Sequence, residues 1–216
     1  MSEPSLVDRI LASFDGSAPP VRRLGGRPDP TPAEWTLATF AGRLAEISGD
    51  RATAALTLAF RLVLQVQRRG EPAAWIAARA GLFFPPDVAE TGVDLAALAV
   101  VRVPGALVAA RAADHLLRSG GFGVVVLDLG SDLGVPLHAQ TRLAGLAQQH
   151  GTALVCLTEN DAARPSLGSL VSLRAHTAKA RDGQDRFRCE ARALKDKRRG
   201  PGWKHAEVCR GPDGLC

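Results

Sequence analysis

The chain has 216 residues, 46% hydrophobic and 23% charged, which allows one sizeable core of ordinary globular composition. No apolar run reaches the length of a membrane span, and Pro4, Asp8 and Arg9 spoil a signal-peptide reading, so a cytoplasmic protein with no membrane partner is expected. The net charge of +5 is uneven: from Arg174 onward 12 Lys/Arg face 6 Asp/Glu, whereas the residues before it hold 15 against 16. A near-neutral body with a basic end suits a polyanion or an acidic protein surface, and equally a solvated basic face.

In chain order, residues 4–14 put Leu6, Ile10 and Leu11 on one face of a short amphipathic helix, with Phe14 near it. Asp15 to Pro32, rich in Gly and Pro, reads as a linker, so residues 1–34 form a first unit. That helix either docks on its own core or serves as a partner-binding arm. Leu44–Ser48 is a strand, Ala52–Arg69 a helix ended by Gly70, Ala73–Ala78 a strand around Trp75, and Pro85–Thr91 a helical turn. Leu98–Val103 is the third strand and Ala106–Arg118 the next helix, stopped by Ser119-Gly-Gly. Phe122–Leu129 is a continuous apolar run carrying Asp128, as in a buried parallel strand, followed by a helix over Pro136–His150 and a strand over Thr152–Thr158. Leu170–Thr177, Arg186–Leu194 and Lys204–Cys209 are strands separated by turns, expected to add antiparallel pairings. The whole predicts an α/β fold, a mainly parallel sheet flanked by helices with a C-terminal antiparallel extension. The expected units are residues 1–34, a core over 35–193, and a basic hairpin or tail over 194–216.

The junction after the first strand has the outline of a nucleotide site: apolar strand, glycine turn, long helix. A P-loop needs Gly, four residues, then Gly-Lys-Ser/Thr, so that backbone N–H groups and a lysine cradle phosphates and a hydroxyl holds magnesium. Counted from Gly49, those places hold Ala54, Ala55 and Leu56, and no lysine lies between Arg43 and Arg61. The outline is present and the phosphate chemistry is missing, so no cofactor and no catalytic residue is assigned. Cys156, Cys189, Cys209 and Cys216 lack paired metal spacing, and the five histidines are scattered, so no metal is expected either.

Four segments in order resemble the ATPase core of the RecA recombinases: Gly42–Gly49, Gly92–Leu98, His115–Asp128 and Leu194–Val208. The resemblance implies a RecA-like core, with Asp128 as a remnant of the Walker B aspartate. It also places Lys195 and Lys197 where two RecA lysines reach the nucleotide of the neighbouring subunit. The departures are equally specific. Arg79 stands where the resemblance puts the catalytic glutamate, Glu159 near the place of the nucleotide-sensing glutamine, and both DNA-binding loops are cut short. ATP hydrolysis is therefore not expected.

Two families resemble a RecA core stripped in this way. Gly121–Gly130 and the basic Arg198–Gly202 stretch are similar to ImuA, the accessory protein of SOS mutagenesis and translesion synthesis; SulA, the division inhibitor acting on FtsZ, is the alternative. The ImuA resemblance implies RecA, an ImuB-type polymerase-like protein and the error-prone polymerase III α subunit as partners. It also implies a nucleoid-associated location. Single-stranded DNA is a further expected partner, with Arg192, Lys195, Lys197, Arg198, Arg199 and Lys204 as the DNA- or protein-binding cluster. Trp203, beside Lys204, reads either as a hairpin core aromatic or as a base-stacking platform. Leu6, Ile10 and Leu11 are the candidate partner-binding residues of the N-terminal helix.

Overall fold

Short apolar strands alternate with helices that each bury one stripe of small or branched side chains. The computed structural model describes residues 35–50, 53–78, 85–183 and 186–210. The elements are α1 (Leu37–Phe40), β1 (Arg43–Gly49), α2 (Ala55–Gln67), β2 (Ala73–Ala77), α3 (Pro85–Glu90), β3 (Leu98–Arg102) and α4 (Gly105–Ser119). There follow β4 (Val124–Gly130), α5 (Leu137–His150), β5 (Ala153–Thr158), β6 (Leu173–Arg181), β7 (Arg186–Asp196) and β8 (Lys204–Arg210). All eight strands lie in one sheet, ordered β3-β2-β4-β5-β1-β6-β7-β8.

The sheet is covered unequally. β1, β2, β4 and β5 are buried along their whole length, as strands with helices on both faces must be. On one face α2 packs Leu58, Leu62, Val63 and Val66 onto the sheet, and Phe60 stacks on Trp75 with ring centroids 4.4 Å apart. On the other face α4 presents Ala106, Ala109, Ala110 and Ala113, small residues that let the helix lie close over β2 and β4, while α5 adds Leu143 and Ala147. Gly151 ends α5 in the left-handed region (φ 69°), where only glycine sits without strain. Toward β7 and β8, among the described residues, only the α2 face remains covered, by Trp35 and Phe40 with Cys189, Ala191, Ala193 and Trp203.

Three expectations change. β6 pairs in parallel with β1, and only β7 and β8 join antiparallel, because the chain after β5 crosses β1 and enters β6 in the same direction. Residues 194–196 complete β7, so the expected boundary between 193 and 194 falls inside a strand, and the basic hairpin is part of the main sheet. The short α1 has no counterpart in the sequence reading; Gln65 of α2 holds it, bonding Leu37 N and Trp35 O at 2.8 and 2.9 Å. The predicted N-terminal helix with Leu6, Ile10 and Leu11 lies outside the described residues. No described helix is long and apolar enough to cross a membrane.

Candidate functional site

In open parallel sheets ligands bind at the carboxyl ends of the strands, and here, among the described residues, the ends of β1 and β6 are bridged by the protein's own side chains. Gly49 ends β1 at the entrance to α2. A Cβ built on it would lie 2.2 Å from Thr53 Oγ1 and 2.9 Å from the Thr177 carbonyl, so glycine is required by Thr53 folding back onto the turn. The amide of Ala55 donates to Thr53 Oγ1 (3.0 Å), and Thr53 and Thr177 share a hydroxyl contact of 2.7 Å. Thr177 Oγ1 in turn donates to Ser48 O (3.1 Å). The proton order is fixed: Ala55 N–H to Thr53, Thr53 O–H to Thr177, Thr177 O–H to the Ser48 carbonyl. A first-turn N–H of the kind that a phosphate would use is thus satisfied internally.

Ala54 and Ala55 are buried and Leu56 packs against the core, so the three places of the P-loop Gly-Lys-Ser/Thr have become apolar packing. Asp128, 1% exposed near the end of β4, stands opposite Ala77 and Leu157, just before a break in strand register. The residues present do not fit a nucleotide in the manner of a P-loop. Among the described residues no group of three His, Cys, Asp or Glu could hold a metal ion.

Beside this turn lies a buried polar network. The Glu46 carboxylate on β1 is fully buried and accepts from Thr158 Oγ1 (2.8 Å), Asn160 Nδ2 (3.1 Å) and the Leu167 amide (2.8 Å). Arg174 of β6 lies 3.7 Å from Glu46, bonds Ser48 Oγ at 3.2 Å and donates to the carbonyls of Asp161 (2.6 Å) and Arg164. The loop between β5 and β6 is thereby held across the rim. A buried charge pair survives only when its remaining polar atoms are satisfied, which these hydrogen bonds do. Sequence reasoning missed Glu46 and Arg174; the available signal was a glutamate in the middle of an apolar strand, Leu44-Ala-Glu-Ile, which must find a partner once buried.

The predicted basic cluster is split. Lys195 and Lys197 both reach the Ser169 carbonyl, at 3.3 and 2.9 Å, and burial followed by the Lys197 charge holds the Lys195 ammonium below its ordinary value. Arg198 donates to the Ala41 carbonyl (3.1 Å), and its side chain and that of Arg199 are exposed on the turn. Arg192 and Lys204 stand opposite each other on β7 and β8, both exposed. The turn is organised by Asp196, which no sequence signal singled out. It accepts from Arg43 (2.7 Å), Trp203 Nε1 (2.9 Å) and the amides of Arg198 and Arg199 (2.9 and 3.3 Å). Burial alone would raise its carboxyl, but the Arg43 and Trp203 hydrogen bonds outweigh that and hold it below the usual carboxylate range. Trp203, 3% exposed, is therefore a core aromatic, and the base-stacking alternative falls.

The rim, the parallel sheet and the helix leaving Gly49 define an α/β protein with the outline of a nucleotide cradle filled by its own side chains. Comparison with known proteins finds a partial likeness to RecA. An 87-residue stretch is 37% identical to RecA of Bifidobacterium breve and of Bifidobacterium longum, covering 40% of this chain and 22% of each relative. RecA of Corynebacterium pseudotuberculosis is 38% identical over 88 residues, 40% of this chain and 23% of that protein. The matched stretch spans less than a quarter of these relatives' length, so the relation is RecA-like and partial. No family model matches the chain.

Proposed function

We propose that this chain is a non-catalytic RecA-like accessory protein of DNA-damage-induced translesion synthesis, of the kind the ImuA family represents. The observation that carries the reading is the Thr53–Thr177–Ser48 hydrogen-bond chain seated on Gly49, in a chain that resembles RecA in part. Phosphoryl transfer needs positioning and charge stabilisation together. Here the lysine place is a buried alanine, and the four lysines of the sequence all lie at or beyond Lys179. A RecA-like sheet without nucleotide chemistry can still present surfaces to RecA, to an ImuB-type protein and its polymerase, and to single-stranded DNA.

Calorimetric titration with ATP and magnesium is expected to give no binding heat, and a coupled phosphate assay no turnover. Cosedimentation with RecA filaments on single-stranded DNA is expected to retain the chain. Saturable ATP binding with hydrolysis would overturn the non-catalytic part of the reading; absence from both bare DNA and RecA filaments would overturn the rest.

A further inference from the structure

Beyond β6 no described helix covers one side of the sheet, and the face so left among the described residues is charged in a regular way. Strand alternation sends Cys189, Ala191 and Ala193 of β7 into the core and turns Arg186, Arg188, Glu190 and Arg192 to the other side, all exposed. Cross-strand register places Arg210 opposite Arg186, Val208 opposite Arg188, Ala206 opposite Glu190 and Lys204 opposite Arg192. On β6 the residues facing Arg188 and Glu190 are Ala180 and Ala178, both exposed. Among the described residues the face therefore carries five cations against one carboxylate, Glu190, which is paired with Arg188 at 2.7 Å.

We infer that this open β6–β7–β8 face is a track for the phosphate backbone of single-stranded nucleic acid; the inference rests on the DNA-binding part of the proposed function. The cations sit at both ends of the strands, Arg186 with Arg210 and Arg192 with Lys204. Six residues of strand separate the two ends, about 20 Å. Between them the small side chains Ala178, Ala180 and Ala206 allow a sugar–phosphate chain to approach the sheet closely. The sheet turns by roughly 20–25° per strand, which a flexible single strand follows and a stiff duplex does not. Phe187 and Trp203 belong to the opposite face and the core: Phe187 carries the Lys179 ammonium 4.1 Å from its ring, and Trp203 is buried. With no Phe or Trp among the described residues of the open face to stack on a base, recognition is of phosphate and independent of sequence.

The salt dependence follows from the cation count. Counting Arg186, Arg192 and Lys204, a slope of about −0.7 per neutralised phosphate gives about −2 in log affinity against log salt. Affinity should then fall roughly 18-fold from about 50 to about 200 mM salt. The test is anisotropy of a fluorescein-labelled oligothymidylate with the full chain across a salt series. The double variant Arg192→Ala/Lys204→Ala is expected to cut the slope to about a third, so that the same salt interval costs roughly 3-fold. Glu190→Gln, which releases Arg188, is expected to tighten binding and steepen the slope, a gain that a folding defect cannot imitate. Arg68→Ala/Arg69→Ala, exposed at the end of α2, is the control and should match wild type. If wild type binds and neither variant changes slope or affinity, the track is refuted while the DNA-binding reading stands. No binding by wild type at low salt refutes both and leaves the face to an acidic protein surface.

Discussion

Replacing Asp196 by Ala should be among the most destabilising single changes in this fold. The carboxylate accepts four hydrogen bonds, from the Arg43 guanidinium, the Trp203 indole and two backbone amides, and neither it nor Arg43 has side-chain exposure above 2%. Arg43 would keep its bonds to the Thr39 and Ser172 carbonyls at 3.1 and 2.7 Å but would be a buried charge without a counter-ion. Removing one member of such a pair costs about 3–5 kcal/mol, and the orphaned indole N–H contributes within that same total, so about 4 kcal/mol is expected. For a chain of this size each kcal/mol moves Tm by about 2–4 °C, giving a drop of roughly 8–16 °C. In urea the midpoint should fall by about 2 M with an unchanged m-value. The pH dependence has a definite sign. The Asp196 carboxyl is depressed in the folded state, so its contribution is complete above the ordinary carboxylate range and is lost as pH falls through the lower folded value. The Asp196→Ala variant should lack that segment of the wild-type acid-unfolding curve. The paired change Arg43→Met/Asp196→Leu, which removes both charges, should recover at least half of the loss. A cost below about 1 kcal/mol, with an acid limb like wild type, would mean the pair behaves as a solvated surface bridge and would refute the reasoning.

Glu46→Ala should leave Arg174 without its carboxylate and release the Leu167 amide, so hydrogen exchange at Leu167 should speed up well before global unfolding; continued protection would show that the loop is held otherwise. Ala55→Lys, which places a lysine at its P-loop position, should overpack a site only 6% exposed and cost about 1–3 kcal/mol in urea unfolding. It should confer no ATP binding by calorimetry, since Thr53 still fills the turn. Burial first, and then the Glu46 charge, push the Cys156 thiol up, while burial and the neighbouring Cys189 push Cys209 up to about 12. In the native protein at about pH 8, Cys156 and Cys209 should therefore resist a maleimide that labels them readily in denaturant, as peptide mapping would show.

The parallel αβ alternation was legible because the strand runs are uniformly apolar where helices cover both faces, as in Val124–Leu127 and Ala153–Leu157. The missing P-loop lysine was legible too, since a motif at fixed spacing either has its lysine or does not. What stood in its place was not: Thr53 meets Thr177 across 124 residues, and Glu46 meets Asn160 and Arg174 across similar distances, pairings no local window contains. The basic cluster, by contrast, is divided by a local pattern. Reading charge as a run grouped Lys195 to Lys204, whereas the strand's period of two was written in Arg186-Phe-Arg-Cys-Glu-Ala-Arg-Ala. That alternation separates the outward arginines from the inward apolar residues and points away from the turn.

The two halves of the sheet also bear on how the protein works under the proposed reading. A nucleotide-driven switch needs a loop with two arrangements whose balance the γ-phosphate tips. Here the loop after β5 is tied to Glu46 and Arg174 by hydrogen bonds from the Leu167 amide and to the Asp161 and Arg164 carbonyls. Moving it would expose two buried charges, at several kcal/mol, with no ligand to offset the cost. The side of the sheet that in a working cradle would change with nucleotide is therefore fixed. The cations of β7 and β8, by contrast, stand on a face that no described helix covers. Such a molecule is constitutive: its binding should respond to salt and to partner concentration and not to ATP. An anisotropy titration repeated with saturating ATP and magnesium should superimpose on the nucleotide-free curve, and a shift beyond the ionic-strength effect of the added salt would restore a switch to the loop.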